Sequence, residues 1–212
     1  MEIREDAEKR YGPSSDLLNG EVYKYSYKTT RGNPFLWVPV GYDASVQIKG
    51  RVYENQRISY DIYNQLMVLD FVDRSGGPGS VVLRDEWVDH LILGGTLFKQ
   101  FTDENGSERY GQVIFEGKAS CVYFWEKRYL PDLHEGEKLY YFTDPIRQSL
   151  IVMNGYSAPY TGNRSFLKCF PKQQQQRIRV YLKENRIKVK KADDRDIQSL
   201  MESINQLFGD EN

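Results

Sequence analysis

A chain of 212 residues can bury a sizeable core without disulfide staples, and its 29 Lys and Arg against 30 Asp and Glu leave a formal charge of −1. So balanced a charge provides no global field to attract nucleic acid or an anionic membrane, which argues against a dedicated nucleic-acid protein. The 16 Tyr, 10 Phe and 3 Trp make 14% of the chain aromatic, a composition that suits strands and recognition surfaces.

Residues 1–20 are polar and begin Met-Glu-Ile-Arg-Glu-Asp, without the apolar core of an export leader, so they read as a flexible leader segment. Order is expected from Val22. Period two there puts Tyr23, Tyr25 and Tyr27 on one strand face and Lys24, Ser26 and Lys28 on the other. A loop around Arg31, Gly32, Asn33 and Pro34 leads to the apolar Phe35, Leu36 and Trp37.

From Ser45 the alternation S-V-Q-I-K-G-R-V-Y, R-I-S-Y-D-I-Y and L-M-V-L-D-F-V-D assigns Ile58, Tyr60 and Ile62 to one face and Arg57, Ser59 and Asp61 to the other, the pattern of half-buried antiparallel strands. The spacing predicts strands near 45–49, 51–53, 56–63, 66–72, 80–84, 87–93, 96–101, 109–116, 119–127, 138–143 and 148–153. Lys49-Gly50, Asn64-Gln65, Gly94-Gly95 and Gly117-Lys118 supply tight-turn chemistry between them.

After Phe170 the period changes. Pro171 opens a helix with Ile178, Tyr181, Leu182 and Asn185 on one face, and Gln173–Gln176 on its exposed surface. Asp193 or Asp194 caps a second helix, whose stripe Ile197, Leu200, Met201, Ile204, Leu207 and Phe208 must bury itself. The expectation is an α+β protein, mainly β. An antiparallel sandwich or open barrel over residues 21–168 carries a helical hairpin, 169–212, packed on it.

Three segments carry a resemblance: Asn33-Pro34-Phe35-Leu36, the string G-R-V-Y-E-N-Q-R-I-S-Y-D-I-Y-N-Q-L-M-V from Gly50 to Val68, and K-E-N-R-I-K-V-K-K from Lys183 followed by an amphipathic helix to Phe208. Together they resemble an uncharacterised family of exported, β-rich bacterial envelope proteins. These pair a G-x-x-Y-x-N-x-x-x-x-Y-D-I-Y-N-D segment with a lysine-rich C-terminal helical hairpin. The resemblance implies a periplasmic or envelope location and this architecture. It implies no reaction, since no catalytic motif defines the family. Gln65 stands where the pattern has an acidic residue.

Candidate chemistry is sparse. His90 and His134 are the two histidines, and neither lies in a ligand spacing; no metal site and no cofactor are expected. Cys121 and Cys169 allow one disulfide or two buried thiols. Gly155–Pro159 misses the last glycine of a nucleophile elbow, and Ser75–Ser80 lacks the lysine and helix of a phosphate loop. Asp61, Asp70, Glu116 and Glu126 lie in predicted strands, where a facing pair would suit a hydrolase. The aromatic faces are the sharper candidates. Tyr23, Tyr25 and Tyr27, or Tyr123 and Trp125 with Tyr140, could present rings to a protein or a glycan. The basic linker Lys183, Arg186, Lys188, Lys190 and Lys191 could meet phosphate-bearing lipids or glycans, but flanking Glu184, Asp193, Asp194 and Asp196 favour a solvated charged turn. No segment approaches the roughly 18 apolar residues needed to span a bilayer. The reading from sequence is therefore a non-enzymatic envelope protein that binds a macromolecular partner through its sheet surface. A carbohydrate-binding module and a carboxylate hydrolase stand as alternatives.

Overall fold

Alternating apolar residues broken by left-handed turn positions pair into antiparallel strands. In the computed structural model, which describes residues 14–27, 30–37, 41–73, 75–103, 106–132 and 139–209, twelve strands alternate with these turns. They are β1 (Tyr42–Ile48), β2 (Arg51–Asp61), β3 (Leu66–Val72), β4 (Pro78–Val82), β5 (Val88–Leu93), β6 (Thr96–Thr102), β7 (Glu108–Phe115), β8 (Ala119–Glu126), β9 (Tyr129–Asp132), β10 (Leu139–Phe142), β11 (Ile146–Met153) and β12 (Tyr156–Tyr160). The described helices are α1 (Ser15–Leu18), α2 (Asn163–Lys168), α3 (Lys172–Glu184) and α4 (Asp194–Gly209). Ten strands share a mainly antiparallel sheet in the order β12-β11-β8-β7-β6-β5-β1-β2-β3-β4, and β9 and β10 form a two-stranded ribbon. The molecule is α+β and mainly β, as its periodicity predicts.

Several boundaries differ from those expected. The two runs 51–53 and 56–63 are one strand, β2, because Asn55 takes a left-handed φ of 56° and a bulge opposite Ser45 absorbs the break. Strand β9 was unexpected, since Pro131 and its charged neighbours hide it. Strand β12 was also unexpected. Asn154 and Gly155, at φ 52° and 77°, turn β11 back on itself, so Gly155–Pro159 is a hairpin strand and not an elbow. Ser75–Ser80 is the connection from β3 to β4, built around Asp73, whose Oδ1 accepts from Ser75 N at 2.8 Å and Gly77 N at 2.9 Å. His90 lies half-buried in β5 opposite Gln47, and His134 lies outside the described residues.

The chain divides into two compact units, both discontinuous in sequence. One reaches to Phe98 and resumes over Trp125–Ile146; the other takes Lys99–Phe124 and the chain from Arg147. The span 21–168 thus contributes to both.

In the first unit, Val46, Ile58, Ile62, Met67, Leu69 and Leu91 are buried, and Phe98 meets Tyr60 and Trp37 edge to face. Strand β2 outlasts its partner β1, which ends its pairing at Ile58. Residues 34–36 take the vacated side: Leu36 N donates to Tyr60 O at 2.9 Å and Ile62 N to Pro34 O at 3.0 Å. Ser59 and Asp61, the residues that alternation alone turns outward, are buried as well: Ser59 Oγ accepts from Gly41 N at 2.7 Å, and Asp61 pairs with Phe35. Part of the expected leader is ordered too. Leu17 is buried, Tyr53 Oη donates to Asp16 at 3.0 Å, and Gly20 approaches β4 so closely that a Cβ would collide with the Val82 carbonyl oxygen.

In the second unit, Val122, Phe124 and Leu150 form a core with Phe101 and Val152 packed against it. Helix α2, unexpected from sequence, inserts Phe166 between Tyr160 and Phe170 at 5.0 Å from each. Helix α3 follows Pro171 and buries Ile178 and Leu182. It also buries Gln174, one of the glutamines expected on its surface. Asp193 caps α4 by accepting from Asp196 N at 2.8 Å, and Ile197, Leu200, Met201 and Ile204 are buried. Cys121 and Cys169 are free thiols. At the end of the sheet order, β12 carries Pro159, which cannot donate to a further strand.

Candidate functional site

The two N-terminal segments singled out by the resemblance, Asn33–Leu36 and Tyr60–Gln65, meet each other and assemble a tyrosine surface on the first unit. Asp61, fully buried, is the organising group. Its Oδ1 accepts from the backbone of Tyr63 at 3.1 Å and Asn64 at 2.9 Å, closing the turn after β2. Its Oδ2 accepts from Tyr23 Oη and Asn64 Nδ2, both at 2.8 Å. Asn64 Nδ2 also reaches Tyr27 Oη at 3.2 Å. Gln65, at φ 60°, closes the turn from the other side: its Oε1 accepts from Tyr60 Oη at 2.7 Å, and its Nε2 donates to Ile62 O and to Trp125 O at 3.0 Å. An amide donates in that position, which a carboxylate cannot do, so the departure at Gln65 has a structural use. Lys127 fixes the Asn-Pro-Phe loop, donating to Asn33 O at 2.9 Å and Phe35 O at 2.7 Å.

These anchors hold eight rings in continuous contact. Phe35 lies 6.2 Å from Tyr23 and stacks on Tyr25 at 6.3 Å with planes 10° apart. Tyr25 meets Tyr27 edge to face at 5.7 Å. Tyr27 then meets Tyr63, Tyr129 and Phe142 edge to face at 6.0, 5.5 and 5.0 Å, with planes 88°, 65° and 82° apart. The ribbon supplies the far end. Phe142 pairs with Tyr129 across β9 and β10, and Tyr140, beside Pro131, stacks on Tyr129 at 4.9 Å and 17°. Phe35 and Phe142 are buried, while Tyr25 is 38%, Tyr63 39% and Tyr140 39% exposed. Burial and the Asp61 carboxylate push the phenols of Tyr23 and Tyr25 upward, and burial does the same at Tyr27 against the Asn64 hydrogen bond. The hydroxyls therefore remain neutral donors and acceptors at neutral pH.

Four of the six aromatic candidates, Tyr23, Tyr25, Tyr27 and Tyr140, lie in this cluster. Tyr23–Tyr27 is an extended segment outside the named strands, yet the three rings keep to one side as alternation predicts. The second grouping does not assemble. Tyr123 belongs to the second unit and is 1% exposed, beneath the Arg147 guanidinium at 4.3 Å, so it offers no face to a ligand. Trp125 and Tyr140 belong to the first unit, where the Trp125 carbonyl holds Gln65. Reasoning from sequence missed Tyr63 and Tyr129. The signal for Tyr63 was its place in Y-D-I-Y-N, next to the turn that Asp61 closes.

The carboxylates proposed for hydrolysis are engaged separately: Asp61 as above, Asp70 with Ser80 Oγ at 2.6 Å, Glu116 with Lys99 at 2.6 Å, and Glu126 with Arg128 at 3.9 Å. Among the described residues no group of three or more His, Cys, Asp and Glu could hold a metal, and no helix is long and apolar enough to cross a membrane. No protein-family model, curated protein or solved structure matches the chain.

Proposed function

We propose that this is a non-catalytic binding protein of the cell envelope whose macromolecular partner docks on the surface formed by Tyr25, Tyr63 and Tyr140. The observation that carries the reading is the exposure of these three rings on a cluster whose other members lock them in place. Tyrosine presents a large contact area with few rotatable bonds, so a pre-ordered tyrosine patch loses little entropy on binding. The mostly edge-to-face packing suits a protein surface better than the coplanar row that would stack on successive sugar rings. The envelope location rests on the family resemblance. Burial pushes the Cys121 thiol up to about 12 and Cys169 to about 11, which keeps both protonated and slow to oxidise in such a compartment.

The test is a photo-crosslinking residue placed in cells at Tyr25, Tyr63 or Tyr140, with Val180 on α3 as the control. A discrete protein adduct from the three tyrosine positions and none from the control supports the reading. Equal or absent adducts from all four positions contradict it. Binding on a glycan array that is lost in Tyr140→Ala would transfer the surface to the carbohydrate reading.

A further inference from the structure

Helix α3 ends in a Schellman turn: Ile187 N donates to Leu182 O at 2.9 Å and Arg186 N to Lys183 O at 3.2 Å, with Arg186 left-handed at φ 54°. Glycine is the least strained residue at that position, and here an arginine occupies it. Arg186 lines an open groove of about 650 Å³ together with Arg179, Lys183 and Lys188 and the apolar Leu167, Leu182 and Ile187. Arg179, Lys183 and Arg186 recur at intervals of four and three, so like charges sit on one helix face, where they repel each other. Among the described residues no carboxylate lies within ion-pair distance of any of the four. The helix dipole favours cations in the last turn, which accounts for Lys183 but not for Arg179 one turn further back or Lys188 beyond the end. The walls are also fixed in advance. Asn163 of α2 donates to Ile187 O at 2.7 Å and accepts from Val189 N at 3.0 Å, holding the linker as a strand partner would.

We propose that this groove binds a phosphate monoester carried on an apolar group, the phosphate among the four cations and the apolar part against Leu167, Leu182 and Ile187. Two arginines and two lysines lining one concavity match a doubly charged tetrahedral oxyanion better than a single carboxylate, since Arg forks bind such oxygens bidentately. The volume is that of a small-molecule site. The solvated-turn reading of this linker leaves unexplained both the missing acidic partners and the arginine at a glycine position.

The experiment is calorimetric titration of the full chain with dihexanoyl phosphatidic acid below its micelle concentration, against inorganic phosphate, dihexanoyl phosphatidylcholine and a tetraglutamate peptide. The expected result is saturable binding of the phosphatidic acid, at least tenfold tighter than of the other three and weakened by salt. Arg186→Gly should lower that affinity about tenfold while the urea midpoint holds or rises, and Lys190→Gln, which removes an exposed charge outside the groove, should change it less than twofold. Equal affinity of Arg186→Gly and the parent chain would overturn the proposal. So would equal losses in both variants, or no saturable binding. Tetraglutamate binding as tightly as phosphatidic acid would make the groove an acidic-peptide site and contradict the phosphate assignment. Recruitment to phosphatidic acid vesicles without binding of the soluble lipid would reduce it to a charged surface.

Discussion

Asp61 gathers four hydrogen bonds from two distant parts of the chain, Tyr23 and the Tyr63–Asn64 turn, and the tyrosine surface hangs on it. Asp61→Ala leaves those donors without their buried acceptor and should cost about 2–4 kcal/mol, whereas Tyr23→Phe removes one of four and should cost about 1 kcal/mol. Urea denaturation of the two variants checks the order. An Asp61→Ala loss no larger than that of Tyr23→Phe would deny the carboxylate its organising role. This residue was only half legible in the sequence. Alternation correctly put Asp61 opposite Ile58 and Tyr60, but period two says which residues share a face and not what covers it. The cover comes from residues 34–36 and Tyr23, distant in sequence, for which the chain offers no local signal.

At the level of elements, turn chemistry was the most legible layer, and it failed where it was not applied. Asn154-Gly155 is as strong a hairpin signal as Lys49-Gly50 or Gly94-Gly95, and all three occupy left-handed positions. Reading the stretch after Gly155 as a possible serine elbow concealed β12. Helix α2 was illegible for another reason: at six residues it is too short for a helical period to emerge. The docking of α4 depends on a side chain that imitates backbone. Asn205 Oδ1 accepts from Ala119 N at 3.1 Å and its Nδ2 donates to Ala119 O at 2.9 Å, clamping the helix to the β7–β8 hairpin. Asn205→Ala should lower stability by about 1–2 kcal/mol and speed hydrogen exchange at Ala119. Unchanged exchange there would mean that the apolar stripe alone seats the helix.

For the molecule as a whole, composition and period established the β-rich class, while the division into two discontinuous units escaped them, because the points where the chain passes from one unit to the other leave no mark in local sequence. Alkaline stability is a property of the whole chain. Folding raises the thiols of Cys121 and Cys169 and the phenols of Tyr23, Tyr25, Tyr27, Tyr123 and Tyr160, chiefly through burial. Groups raised in the folded state ionise first in the unfolded chain. Their contribution is complete below about pH 9 and is lost as pH climbs through the thiol and phenol ranges. The urea midpoint should therefore hold between pH 7 and 8.5 and fall steadily above about pH 9, and Cys121→Ala should flatten the start of that fall. A midpoint independent of pH up to 11 would contradict the burial of these groups. Whether the tyrosine surface serves binding and not stability is decided by Tyr63→Ala/Tyr140→Ala carrying the photo-crosslinker at Tyr25. Both truncated rings are already part-exposed, so the melting temperature should stay within about 5 °C of that of the parent chain and the crosslinked adduct should be lost. An adduct retained at the parent's yield, with the fold intact, would contradict the binding role.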